Sequence, residues 1–334
     1  MREQPGALTV VCGEALVDLF VNVGADGQLS SVARLGGAPY NLAVGLARLG
    51  RDVALCAGLS TDFFGSALRR GLEAEGVSAE FLEGFAEPTM LVVIGRQPDG
   101  HPSYGFPVKV SADRQLIGCR FHEVHSPVDT LVVGSHLLVL PDTQKRLLRI
   151  VMDRKADTLI CLDPNIRLGV IPDARLWFDA IEKFLPHADI IKASDEDIAA
   201  LYPDATIDDV ASAWRDKGAG LVVVTFGASG ATAWFGDRQK LDMPGELVDV
   251  IDTVGAGDSF FAALLASLRE QNLLSRTSIA GLEPGPLAKA MRFSIAAASI
   301  TCGRLGADLP DRRAILAHLD DPRPTAADNQ ESVQ

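Results

Sequence analysis

Short apolar runs alternate with longer amphipathic stretches along most of the chain. Leu8–Cys12, Val53–Ala57, Thr130–Gly134, Thr158–Asp163, Ile190–Lys192 and Leu221–Thr225 read as strands. Between them, apolar positions recur at helical spacing. Leu42, Leu46 and Leu49 share one face, Leu147, Ile150 and Val151 a second, and Ile198 with Leu201 a third. Strands separated by helices require crossover connections, which predicts an α/β fold: a mostly parallel sheet with helices on both sides.

Two stretches break this rhythm. Leu16–Leu35 and Thr89–Val110 lack helical periodicity and contain strand-like pieces such as DLFVNV, MLVVIGR and the region around Tyr104–Phe106. Each leaves the α/β layer and returns to it. They either pair into one small sheet above the active edge, as a lid, or stand as two separate hairpins. Beyond Leu319 the chain is polar with no apolar face, so residues 320–334 read as a disordered tail. Residues 1–319 then form one unit, with lid segments at 16–35 and 89–110.

Length and composition fit that picture. The 334 residues are 47% hydrophobic and 22% charged, ordinary for a globular enzyme. With 44 acidic and 31 basic residues the net charge is −13, a field that repels nucleic acid and anionic membranes. An anionic ligand would need a locally built site of backbone N–H groups and a few basic side chains. The 5 cysteines are scattered, with no C-x-x-C pair, and most lie in apolar surroundings. Reduced, buried thiols in a cytoplasmic protein are expected. No run reaches the roughly 20 residues that span a bilayer, and no basic segment precedes an apolar stretch at the N-terminus.

The densest chemistry lies in Asp252-Thr253-Val254-Gly255-Ala256-Gly257-Asp258-Ser259-Phe260, between a strand-like run, Leu247–Ile251, and an apolar helix, Phe260–Leu268. Gly255 and Gly257 let the backbone approach a ligand closely. The first N–H groups of a helix lack internal partners and carry the positive end of its dipole, so this segment suits an anion such as a γ-phosphate. Asp258 either caps the helix or accepts a proton from a hydroxyl attacking that phosphate. Spacing alone leaves both roles open. No G-K-[ST] follows the glycines, and Phe260 stands where G-x-G-x-x-G needs its last glycine, so neither common nucleotide motif applies.

This segment resembles the C-terminal signature of the PfkB family of carbohydrate kinases, the ribokinase-like fold. Gly36-Gly37-Ala38-Pro39-Tyr40-Asn41-Leu42-Ala43, running to Gly50, resembles the family's N-terminal signature. The two signatures stand in the family's order, and the resemblance covers the chain from about Val10 to Pro310. It implies a three-layer α/β/α domain with a small β-sheet lid, and transfer of the γ-phosphate of ATP to a sugar hydroxyl. It further implies that Asp258 is the base, that Gly255, Ala256 and Gly257 form the anion hole, and that Gly36, Gly37, Asn41 and Asp18 contact the sugar. Tyr104, in the second lid segment, falls among the implied sugar contacts.

Other segments are carried over in the same way. Asp163-Pro164-Asn165-Ile166-Arg167 is a turn on its own terms, but fructokinases and 2-keto-3-deoxygluconate kinases have a similar run whose Arg approaches phosphates or an acidic substrate group; Arg167 matches it. Thr225, Gly227 and Gly230 match the nucleotide-side turn, with Lys192 on the same side. Ser194–Asp197 stands where the family has N-x-x-E, which organises Mg²⁺ and its waters. Asp197 reaches less far than Glu, so its metal contact would be indirect. Asp252 is a candidate K⁺ ligand. Ser294–Cys302 and its exit resemble the adenine and monovalent-cation region, with Ile295 in place of a frequent Asn. His122-Glu123-Val124-His125 is one residue short of H-E-x-x-H and reads as a solvated loop.

The Gly-Glu opening, D-P-N-I-R and the Asp252–Phe261 segment look most like fructokinases, with 2-keto-3-deoxygluconate kinases the nearest rivals. Both often carry an Arg in the second lid strand where this chain reads Phe106-Pro107-Val108-Lys109. Losing that Arg counts more against a keto-acid, whose carboxylate favours a bidentate partner. A non-catalytic sensor of sugar or nucleotide is the alternative of another class, and the retained Asp258 argues against it. An exposed lid edge predicts a homodimer built through the lids.

Overall fold

The computed structural model describes residues 8–24, 26–96, 102–108, 110–115, 121 and 126–320. Nine strands form the main sheet. They are β1 (Leu8–Cys12), β4 (Val53–Ser60), β5 (Leu82–Phe85), β8 (Val128–Gly134), β9 (Leu159–Asp163), β10 (Ile190–Ser194), β11 (Leu221–Thr225), β12 (Gly230–Phe235) and β13 (Gln239–Pro244). Their spatial order is β13-β12-β11-β10-β9-β8-β1-β4-β5. Every pairing from β11 to β5 is parallel, and at the other edge β12 runs antiparallel to both β11 and β13.

Helices cover both faces. On one lie α1 (Ala38–Arg48), α2 (Phe63–Ala74), α7 (Ala256–Glu270), α9 (Pro284–Cys302) and α10 (Arg312–Asp320); on the other, α3 (Pro141–Arg154), α4 (Ala174–Phe184), α5 (Asp195–Leu201) and α6 (Ile207–Asp216). A one-turn helix, α8 (Arg276–Ala280), links α7 to α9. The strands alternate between two cores: Val11, Leu55 and Val132 face α1 and α7, while Val10, Cys56 and Val133 face α3 and α4. Helix α7 is buried from Asp258 to Leu268, because α1 and α9 enclose it against the sheet. That is why its sequence is apolar all round.

The two irregular stretches pair with each other. β2 (Leu16–Val23), β3 (Leu29–Gly36), β6 (Leu91–Arg96) and β7 (Pro102–Gly105) form one four-stranded sheet in the order β3-β2-β6-β7. β2 and β6 are parallel, so two separate hairpins are excluded. The small sheet rests on Leu16, Met90 and Val92, whereas most of edge strand β3 is exposed.

Two readings from the sequence need correction. Leu247–Ile251 is not a strand. Leu247, Val250 and Ile251 face solvent, and the Ile251 and Asp252 amides donate to the Cys302 carbonyl at 2.9 and 3.2 Å. The end of α9, not a sheet, holds this segment. Helix α7 also starts at Ala256, ahead of the expected Phe260, so Asp258 lies inside its first turn. His122, His125, Lys109 and the tail from 321 lie outside the described residues.

Candidate active site

The carboxyl-terminal ends of β1, β8, β9, β10 and β11 share one edge, where an open α/β sheet leaves its crevice. A pocket opens there, lined among others by Pro39, Gly134, Ser135, Asp163, Asn165 and Asp258. α1 reaches it through the Gly36–Gly37 turn, and α7 through its first turn.

Gly255 precedes α7 in the left-handed conformation, φ 80° and ψ 0°. A Cβ there would lie 2.6 Å from the Ala307 Cβ, so both backbone sign and space demand glycine. Asp258 follows in the first turn and is buried. It makes no capping hydrogen bond; its Oδ2 accepts from Asn41 Nδ2 at 2.9 Å. Burial drives the Asp258 carboxyl up to about 6, against the hydrogen bond from Asn41 and the Lys192 and Arg167 cations, while Asp163 adds to the rise.

Lys192 rises from β10 beneath the same turn. Its Nζ lies 3.1 Å from where a Cβ on Gly257 would sit, and 3.1 Å from Asp163 Oδ2. Burial opposes its charge, yet Asp163, Asp197 and Asp258 outweigh that and hold its pKa above the ordinary value. A fixed cation therefore backs the amides of the α7 N-terminus, and the two together suit an anion.

On the other side stands Asp18, in β2, paired in register with Arg34. Burial first, and Asp252 next, raise its carboxyl to about 6; Arg167 opposes this and Asp258 adds to it. A Cβ on Gly36 would come within 2.7 Å of Asp18 Oδ2. Gly37, at φ 105°, passes so close to the Glu14 carbonyl that a Cβ would sit 2.9 Å from it. Asp18, Gly36, Gly37, Asn41 and Asp258 are thus one continuous surface, although 217 residues separate Asn41 from Asp258. Arg167 is exposed, and its charge acts on Asp18, Asp163 and Asp258.

The remaining predicted residues sit on other elements. Thr225 ends β11, with its hydroxyl 3.4 Å from the Ala193 carbonyl, and Gly227 and Gly230 bound the turn into β12. Asp197 is engaged by backbone: its oxygens accept from the Ile166 and Ser194 amides at 2.8 and 2.9 Å, closing a capping box on α5. Asp252 likewise accepts from the Val254 and Gly306 amides at 3.1 and 2.9 Å, tying the α7 approach to the loop after α9. Tyr104 lies in β7, and its side chain is outside the described residues. Ser135, Asp163 and Asn165 line the pocket without being marked as site residues by any motif. Their signal was position, because each closes or follows a parallel strand at the crevice edge. The Oδ1 atoms of Asp163 and Asn165 are buried without a hydrogen-bond partner in the protein.

The pfkB family carbohydrate kinase profile matches residues 7–313. The chain belongs to this family. It is 33% identical over 277 residues to a fructokinase of Rhizobium leguminosarum bv. trifolii, covering 83% of this chain and 84% of that one. A fructokinase of Vibrio cholerae O395, solved with fructose, ADP and calcium, superposes with a TM-score of 0.78 at 27% identity, covering 94% and 99%. The fold is also that of an ATP-bound fructokinase from Xylella fastidiosa, at TM-score 0.83 and 23% identity over 94% and 98% of the two chains.

Proposed function

We propose that this sugar kinase transfers the γ-phosphate of ATP to a hydroxyl of fructose, with Asp258 as general base. The observation that carries the reading is the environment of Asp258. A buried carboxyl, raised to about 6 and oriented by Asn41, adjoins an anion-binding helix start backed by Lys192. It is ionised at neutral pH yet a better base than a solvated carboxylate.

In this scheme the amides of Gly255, Ala256 and Gly257 with Lys192 hold the transferred phosphoryl group, and Asp18 with the Gly36–Gly37 turn orients the sugar. Thr225, Gly227 and Gly230 lie on the nucleotide side. Arg167, exposed and acting by charge on Asp163 and Asp258, meets the phosphates. Fructose is supported by the fructokinase relatives and by the Asp163 and Asp258 carboxyls that line the pocket, with Asp258 acting on Asp18; these oppose a sugar carboxylate. Mg²⁺ enters with the nucleotide. The triphosphate and waters would hold it, with Asp197 behind them. Asp252 sits where a K⁺ would influence the α7 approach. The exposed β3 edge, with Leu29 and Val32 open to solvent, supports a homodimer through the small sheet. Among the described residues no helix is long and apolar enough to cross a membrane, and cytoplasmic residence fits the scattered cysteines.

The test is coupled ATP consumption over a panel containing fructose, 2-keto-3-deoxygluconate and other hexoses, with Asp258→Asn as control. Fructose is expected to give the highest kcat/KM. Wild-type turnover no faster than the variant's would sink the kinase reading, and faster 2-keto-3-deoxygluconate turnover would reverse the substrate order.

A further inference from the structure

Behind the Gly36–Gly37 turn lies a buried cluster of titratable side chains that the scheme above does not use. His136 follows β8 and is 2% exposed. Its Nε2 lies 2.9 Å from Asp113 Oδ2, and its Nδ1 lies 3.6 Å from Glu14 Oε2. Glu14 Oε1 accepts from the Ser135 hydroxyl at 2.8 Å. The Nε2–Asp113 contact is a hydrogen bond and the longer Nδ1–Glu14 contact an ion pair, so a ring held between two carboxyl groups fits the imidazolium form.

We propose that His136 is a positioning residue, its imidazolium clamping Glu14 to Asp113 and so fixing the sugar turn, the strained pocket residue Ser135 and the base of the four-stranded sheet. This rests on the sugar-kinase reading. Three chain segments meet at the ring. Glu14 belongs to the β1–β2 connection, which leads to Asp18, and its carbonyl and Cγ back directly onto Gly37. Asp113 lies in the short turn where the chain re-enters the body after β7. The preceding Ala112 amide donates to the Pro88 carbonyl at 3.0 Å, so both ends of the β6–β7 excursion are tied at this point. Ser135 lines the pocket at φ 61° and ψ −166°, a region that residues other than glycine rarely occupy. Its amide donates to the Asp163 carbonyl and its hydroxyl to Glu14, and these bonds hold the conformation.

Charge explains why a histidine is needed. Glu14 and Asp113 are each buried, and one oxygen of each, Oε2 and Oδ1, has no hydrogen-bond partner. Without the imidazolium the two carboxylates would face a common apolar space uncompensated. Burial disfavours the charged ring, but Glu14 and Asp113 outweigh it and raise its pKa; the remaining charged group acting on it is Arg114, which opposes them. Helices α3 and α4, packed against the turn of residues 136–138, contribute apolar Leu147, Ile150 and Trp177 to the cluster that holds Leu137 and Leu138. Protonation of His136 is therefore set by the two carboxylates and Arg114.

The experiment compares wild type, His136→Gln and the charge-matched double variant His136→Gln/Asp113→Asn, with fructose and ATP varied separately from pH 6 to 10. His136→Gln is expected to raise the fructose KM about tenfold while kcat and the ATP KM move less than about threefold. The double variant, which restores the cluster's net charge, recovers most of that loss. In wild type the fructose KM climbs on the alkaline side as His136 loses its proton, and in His136→Gln that climb disappears. An unchanged fructose KM in the single variant, or no recovery in the double, overturns the inference. If His136→Gln does not fold, the wild-type profile and the double variant decide: a flat alkaline profile or a double variant at least tenfold weaker for fructose overturns it. If wild type does not turn over fructose, the substrate reading fails instead. Hydrogen exchange of the 36–41 amides then decides the inference, with faster exchange in His136→Gln supporting the clamp and equal exchange overturning it.

Discussion

Asn41 Nδ2 donates to Asp258 Oδ2 at 2.9 Å, joining the first turn of α1 to the first turn of α7. In the proposed scheme this bond joins the sugar side of the site to the phosphate side. It also orients the carboxylate and stabilises its ionised form, so it opposes the burial that raises the Asp258 pKa. Asn41→Ala removes that stabilisation. A hydrogen bond to a charged group is worth roughly 1.5–3 kcal/mol, so the acid limb of kcat/KM should move up by about 1–2 pH units. A limb that stays in place would show that Asn41 does not govern the base.

Asp258→Asn should trade activity for stability. A positioned base contributes about 10²- to 10⁴-fold, and kcat should fall by that factor while ATP affinity persists. The folded pKa of about 6 lies above the ordinary 3.8, so the native state binds the proton more tightly than the unfolded chain. Stability from this group is therefore greatest below about pH 4 and declines as pH rises towards 6. At pH 7 the ionised, buried Asp258 is a net cost, and the amide relieves it by at most about 2–3 kcal/mol. Melting temperatures should show Asp258→Asn at or above wild type at pH 7, with the gap closing at pH 4. A clear loss of stability at pH 7 would contradict this balance.

Much of this site was legible because backbone demands leave marks in sequence. Gly37 and Gly255 have positive φ and no room for a Cβ, so glycine had to stand there. The alternation of apolar runs located β1, β4, β8, β9, β10 and β11 to within a few residues, because parallel strands are buried on both faces. Other features leave no such mark. Leu247–Ile251 has a strand's composition but finds no sheet edge, and a carbonyl of α9 captures the Ile251 and Asp252 amides instead. The start of α7 was hidden because the glycines at 255 and 257 flank a single alanine and are poor helix formers, and packing of α1 and α9 imposes the first turn. The Glu14–His136–Asp113 cluster joins residues from three distant segments, and nothing in their spacing brings them together.

Gly255 and Gly257 should respond differently to alanine. At Gly255 the substitution meets both a left-handed backbone and the Ala307 side chain, 2.6 Å away. Strain of this kind costs about 1–3 kcal/mol, so Gly255→Ala should lower the melting temperature and displace the α7 amides together. At Gly257 the backbone is helical, and an added Cβ meets only the Lys192 Nζ at 3.1 Å. Gly257→Ala should therefore melt like wild type yet lose about tenfold or more in kcat/KM, because the methyl group occupies the phosphate's approach. Equal thermal losses for the two variants would refute this division.

Lys192 and Asp163 test whether the buried cation serves the fold or the chemistry. Nζ and Oδ2 are 3.1 Å apart, and both side chains are largely buried. Removing one partner of a buried pair typically costs about 3–5 kcal/mol, whereas removing both charges is often close to neutral. Lys192→Met alone should lower stability by up to that amount, less whatever Asp163 recovers by taking up a proton. Adding Asp163→Asn should restore most of it, measured by urea unfolding at pH 7. Activity should not follow. If Lys192 supplies the positive charge behind the α7 amides, the double variant stays impaired by about 10²-fold or more in kcat despite its restored stability. Recovery of turnover along with stability would make the lysine a structural counter-ion to Asp163 and leave the anion site to the helix N-terminus.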